Sequence, residues 1–233
     1  MKKLHIFLAI IAIISLISII VFGACTFSFG GDMIEEWSVE GDDYATTKSI
    51  VDEFYEATKA STNYVATADL NGGLSLTISV DGTSILEDST PMGGLVYYFI
   101  EDGKYYMASH TQDYKYYEEI TKEEYEQTGL NSYGLDITAF FTDEEAPKGV
   151  TYETKASGKS MTSNGVTTSN GELTIKTVFE DTTTNMKVTQ TNGLVTSIEI
   201  ITISDNEVYQ NVSIVYGDAS ITLPDLSTYD TYE

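Results

Sequence analysis

Beyond residue 62 the chain alternates. Leu74, Leu76, Ile78 and Val80 fall on one side of an extended backbone and Ser75, Thr77 and Ser79 on the other, the pattern of a strand with one buried face. Asp81-Gly82 follows as a turn. Leu95–Ile100 is different: Leu95, Tyr97 and Phe99 oppose Val96, Tyr98 and Ile100, so both of its faces need apolar cover. Asp102-Gly103 predicts a hairpin returning through Lys104–His110, and Asp113–Glu118 adds Tyr114, Tyr116 and Tyr117. Further strands are expected at Thr151–Lys155, Glu172–Glu180, Met186–Gln190, Leu194–Ile203 and Glu207–Tyr216, with Asp205-Asn206 turning into the last and Ile221–Pro224 closing the sheet. Asn192-Gly193 is the strongest hairpin signal, a type I′ turn that needs positive φ at both central residues. Ser157–Gly171, rich in Ser, Thr, Asn and Gly, reads as a mobile loop.

Helical periodicity occupies one long stretch. From Thr46 to Ala60, Ile50, Phe54 and Ala57 recur on one face with Val51 and Tyr55 beside them, and Asp52, Glu53 and Glu56 lie elsewhere. Thr46 or Thr47 is the expected N-cap, and Asp52 and Glu53 are expected to suit the helix dipole. Thr121-Lys-Glu-Glu124 has the form of a capping box opening a short helix through Gln127. Leu135–Phe141 fits either a short helix or a strand. Nine to eleven strands, at most three helices and consecutive hairpins predict an α+β fold built on a meandering antiparallel sheet.

The N-terminus is an export segment. Lys2 and Lys3 precede a run without formal charge from Leu4 to Phe22, and Gly23-Ala24 end it. The run is longer than the usual apolar core of a signal peptide, and at ~1.5 Å per helical residue it reaches across a ~30 Å bilayer, so an uncleaved transmembrane anchor is the alternative. Cys25, the only cysteine, stands directly after Gly23-Ala24. This arrangement resembles the lipobox of bacterial lipoproteins, with Phe22 where Leu is usual. The resemblance implies removal of residues 1–24, acylation of Cys25, and a globular part held by a lipid anchor on the extracytoplasmic face of a bacterial cell membrane. Residues 25–43, rich in Gly, Asp and Glu, read as a flexible acidic tether, 44–226 as the domain, and 227–233 as a frayed acidic tail. Trp37, the sole tryptophan, is the odd residue in the tether, suited to docking either on the domain or on the membrane interface.

Charge and chemistry narrow the function further. The 233 residues hold 12 Lys, no Arg, and 36 Asp plus Glu, for a net charge of −24. Such a surface repels phosphate backbones, which excludes nucleic acid as a partner, and without Arg the usual bidentate clamp for phosphate or carboxylate is missing. The acids are scattered and match no Ca²⁺ loop, so they read as a solvated face. Beyond Cys25 no cysteine is left to build a disulfide framework. The only histidine after His5 is His110, which rules out a multi-histidine metal site and lacks an evident nucleophile to activate. Glu118 and Glu119 would support glycoside chemistry only if a cleft set them about 5 to 9.5 Å apart. No phosphate loop or dinucleotide fingerprint is present. No enzyme activity, metal or cofactor is expected.

The informative constellation is a belt of tyrosines: Tyr97, Tyr98, Tyr105, Tyr106, Tyr114, Tyr116, Tyr117 and Tyr125. Tyrosine suits both cross-strand packing and the lining of a site for a ligand of mixed polarity. Together with the lipobox and N-terminal helix, the ending Asn192-Gly-Leu-Val, Ile198-Glu-Ile-Ile, Val212-Ser-Ile-Val-Tyr-Gly-Asp and Ile221-Thr-Leu-Pro224 resembles the LolA/LolB and LppX/LprG type of exported lipid-handling lipoproteins. That resemblance implies a strongly curved half-barrel whose open side is covered by helices. The expected function is then binding or carriage of an apolar or amphiphilic ligand, with Ile50 and Phe54 of the helix and Tyr97, Phe99 and Tyr105 of the sheet around it. The alternative is a cell-surface interaction or structural protein with a filled core and no ligand.

Overall fold

A computed structural model describes residues 33–70, 73–89, 93–129, 136–142, 145–163, 165–204 and 207–231. In chain order the elements are β1 (Met33–Gly41), α1 (Tyr44–Lys59), β2 (Asn63–Leu70), β3 (Leu74–Asp81), β4 (Ser84–Ser89), β5 (Gly94–Glu101), β6 (Lys104–Thr111) and β7 (Lys115–Ile120). Then come α2 (Lys122–Glu126), a 3-10 helix at Ile137–Phe141, β8 (Val150–Ser163), β9 (Val166–Phe179), β10 (Thr182–Thr191), β11 (Leu194–Ile203), β12 (Glu207–Tyr216), a 3-10 turn at Leu226–Thr228 and β13 (Asp230–Thr231). The strands form one curved, unclosed sheet in the order β1-β8-β9-β10-β11-β12-β2-β3-β4-β5-β6-β7-β13. Every pairing is antiparallel except that of β13 with β7.

Period-2 alternation builds the core directly. Ala156, Leu173, Val188, Ile198, Val212, Ala68 and Leu76 lie opposite one another across seven strands, and none is more than 2% exposed. Ile214, Ala66 and Ile78 form the next row. The alanines are small, and α1 contributes the bulk to the same cluster through Ile50, Val51, Phe54 and Tyr55. Burying each such large side chain stabilises the fold by roughly 1.5–3 kcal/mol.

Two buried hydrogen bonds fix the helix along its length. Thr47 Oγ1 lies 2.6 Å from Thr154 Oγ1 of β8, and Thr58 Oγ1 accepts the Val195 N–H of β11 at 2.9 Å. The cap differs from expectation. Asp43 is the N-cap, accepting the Thr46 N–H at 2.9 Å and the Thr46 hydroxyl at 2.7 Å, so the helix starts at Tyr44 and Thr47 is freed for β8. Asp52 and Glu53 then lie beyond the first turn, which holds no acid, and Ala57 is exposed while Thr58 is buried. The capping box at Thr121 is present, with Thr121 Oγ1 accepting the Glu124 N–H and Glu124 accepting the Thr121 N–H. Asn192 and Gly193 have φ of 53° and 80°, as a type I′ turn requires.

Four segments depart from the sequence reading. Residues 33–41, expected within the tether, are strand β1. Two of its three acids find lysines on β8, Glu40 with Lys155 at 3.1 Å and Glu36 with Lys159 at 3.3 Å, and Trp37 lies across Gly158. Ser157–Gly171, expected as a loop, belongs mostly to the long β8–β9 hairpin, because its threonines favour extended backbone and pair across the strands, Thr162 Oγ1 lying 2.7 Å from Thr167 Oγ1. Of the tail 227–233 expected to fray, residues 227–231 are ordered instead: Tyr229 is buried and Asp230-Thr231 pair with Tyr116-Tyr117 of β7. Ile221–Pro224 is no strand, and β4 makes the sheet larger than expected. Of the ambiguous Leu135–Phe141, Ile137–Phe141 is a 3-10 helix. Leu135, the Asp205-Asn206 turn, Cys25 and the whole leader lie outside the described residues.

Candidate functional site

Strand β5 is covered on both faces, by different parts of the chain. Tyr98 sits opposite Ile85 and packs against the main core. On the other face Phe99, Ala108 and Tyr229 form a second cluster, with Tyr97, Tyr106, Tyr117 and Leu226 against it. Phe99 stacks on Tyr106 with ring centroids 5.6 Å apart. The cover there is the C-terminal segment, not α1. Burial raises the phenol pKa of both Tyr97 and Tyr229, and the Asp88 carboxylate adds to the effect at Tyr97.

The five expected ligand residues therefore do not surround one space. Ile50 and Phe54 are 7% and 5% exposed inside the main core. Tyr97 and Phe99 belong to the second cluster on the opposite face. Tyr105 shares the Tyr98 side, where its ring lies 5.2 Å from that of Tyr125 on α2, whose hydroxyl donates to the Thr83 carbonyl at 2.8 Å. The pleat causes this division. Neighbouring positions of one strand point to opposite faces, and α1 spans only the rows of the main core. No family model matches this chain, and no curated protein matches it.

Other candidate groups are dispersed. Glu118 and Glu119 are consecutive in β7 and so point to opposite faces, with Glu119 paired to Lys104 at 2.6 Å. His110 is half-buried, its ring 6.2 Å from Tyr229 and edge-on to it. Among the described residues no group of three His, Cys, Asp or Glu side chains is placed to hold a metal. On the face away from the core, an open trough of about 740 Å³ passes over Glu153, Lys155, Lys176, Lys187 and Glu199. Its lysines are taken up by cross-strand ion pairs, Lys176 with Glu153 at 3.2 Å and Lys187 with Glu172 at 2.8 Å. These exposed pairs organise the surface more than they stabilise it.

Two buried polar groups escaped the sequence reading. Glu87 of β4 is 5% exposed and stands in a row with Ile78 and Val96 on the core side. Tyr55, on the inner face of α1, is 1% exposed, and its hydroxyl has no hydrogen-bond partner among the described residues. Burial first, then the charges of Asp136 and Tyr216, push that phenol well above its ordinary value. Tyr55 was visible in the sequence only as an apolar position of a helix. Nothing in the pattern marks where its hydroxyl ends.

Proposed function

We propose that this chain is a non-enzymatic, membrane-anchored extracytoplasmic lipoprotein whose exposed sheet serves as an interaction surface. The observation that carries this reading is the division of Ile50, Phe54, Tyr97, Phe99 and Tyr105 between packed groups on opposite faces. Residues filled by their own neighbours stabilise a core and leave no shared lining for a small apolar ligand. Anchoring rests on Gly23-Ala24-Cys25, since two acyl chains at about 0.8 kcal/mol per buried CH₂ hold a protein stably to a bilayer.

A second reading is a carrier of an apolar or amphiphilic ligand, in a half-barrel of the LolA/LolB or LppX/LprG type with α1 on its concave side. Tyr55 favours it. A buried hydroxyl with no partner among the described residues is costly, and the polar end of an amphiphile beneath α1 would satisfy it. Native mass spectrometry of the full chain extracted from membranes in mild detergent separates the two. The interaction reading expects the polypeptide and its acyl anchor alone. A further lipid, retained in the folded chain and released on unfolding, overturns it in favour of the carrier. Cys25→Ala should abolish incorporation of labelled fatty acid, and undiminished labelling would sink the lipid anchor.

A further inference from the structure

The β8–β9 hairpin outruns the rest of the sheet. At Ser169 the β10–β11 turn closes against it, with the Asn192 N–H donating to the Ser169 carbonyl at 2.7 Å and the Ser169 N–H to Asn192 Oδ1 at 2.9 Å. Beyond that point Val166–Thr168 pair only with β8, so the hairpin projects roughly 10 Å as an arm, with β1 along its other edge. Four apolar side chains are exposed at its end: Val166 at 65%, Met33 at 46%, Met161 at 41% and Ile34 at 40%. Ile34 and Met161 are direct cross-strand partners.

The arm also differs in charge from everything around it. Ser160–Gly171 is twelve residues without a charged side chain, in a chain of net charge −24. The nearest charges on the paired strands are Glu35 and the Glu36–Lys159 ion pair. An anionic bilayer surface repels the acidic body and leaves the uncharged arm, with its four exposed apolar side chains, as the part that approaches without penalty.

The chain's path supplies the last constraint. β1 begins at Met33, paired with Thr162 at the arm, and runs from there back to Gly41 at the body. Between Cys25 and Met33 lie only residues 26–32, a reach of about 28 Å even when fully extended. Whether the chain is held by an acylated Cys25 or by an uncleaved apolar run, the membrane attachment enters the fold beside the arm.

We propose that the arm tip, formed by Met33, Ile34, Met161 and Val166, rests in the lipid surface that anchors the N-terminus and points the acidic body away from it. This rests on the anchoring part of the proposed function. The test is tryptophan quenching in the full chain, reconstituted into vesicles of phosphatidylglycerol and phosphatidylcholine with bromines on the phosphatidylcholine acyl chains. On a Trp37→Phe background, Met161→Trp is expected to lose emission relative to unbrominated vesicles. Phe179→Trp, at the other end of β9 and about 36 Å along the strand from Thr168, the cross-strand partner of Met161, keeps its emission. Adding Ile34→Glu and Val166→Glu to the Met161→Trp chain restores the lost emission. Chains that float with the vesicles but show no quenching at position 161, or equal quenching at both positions, overturn the inference and leave the anchor standing. Quenching that survives both glutamates overturns it as well. A chain that does not float at all overturns the anchor, and this inference with it.

Discussion

Trp37 lies over a position where only glycine fits. A Cβ on Gly158 would collide with the indole ring, and Gly171, opposite it on β9, stands in the same relation to Gln190. Gly158→Val is therefore expected to lift Trp37 off β8. As the sole tryptophan, it reports this directly through a red shift of emission, with a lower melting temperature. Asp43 offers a pH test. Hydrogen bonds from the Thr46 hydroxyl and backbone N–H hold its carboxyl below the ordinary value of 3.8, so the fold favours the ionised form. That contribution is complete above the ordinary value and is lost as pH falls through the lowered folded value. Asp43→Ala should melt below the parent at neutral pH, and the gap should close as the pH falls below about 3.8. A gap that persists in acid would show that the carboxylate charge is not what caps the helix.

At the scale of elements, α1 is placed by hydrophobic burial and oriented by its threonines. A helix can slide on an apolar face at little cost, but the bonds of Thr47 and Thr58 to β8 and β11 fix its register. Thr58→Val keeps the volume and removes the acceptor for the buried Val195 N–H, which should cost roughly 1–3 kcal/mol in a denaturant melt. Thr58→Ser retains the hydroxyl and should recover most of that loss. The β5–β7 segment depends in the same way on a distant part of the chain. Tyr97, Phe99, Tyr106 and Tyr117 form an aromatic face that would be wet without Leu226 and Tyr229 over it.

For the whole molecule, that cover predicts the effect of truncation. Ending the chain after Pro224 removes Leu226, Tyr229 and β13 together and should expose the second cluster. An apolar dye that lights up on exposed aromatic surface is expected to brighten several-fold with the truncated chain. Dye fluorescence equal to that of the parent would show that the tail is not what keeps this face dry. The first and last described strands thus finish opposite edges of the sheet, β1 beside β8 and β13 beside β7. Residues 33–41 and 227–231 read in isolation as parts of unstructured acidic segments, and neither stretch is.

The sequence by itself determined the local geometry. The alternation in Leu74–Val80, the helical face of Ile50 and Phe54, the capping box at Thr121 and the Asn192-Gly193 turn follow from backbone sterics and the two periods of buried positions, and all stand in the structure. Of the candidate site, the need for cover on both faces of Leu95–Ile100 was legible. The identity of the cover was not, because the pleat specifies which residues share a face and says nothing about what lies over it. Tertiary structure alone decided that Glu36 and Glu40 would meet lysines on β8, that polar Ser160–Ser169 would extend a hairpin, and that Tyr229 would close over Phe99. Each of those outcomes turns on a partner distant in sequence, whose pairing gains free energy only after the sheet has brought the two together.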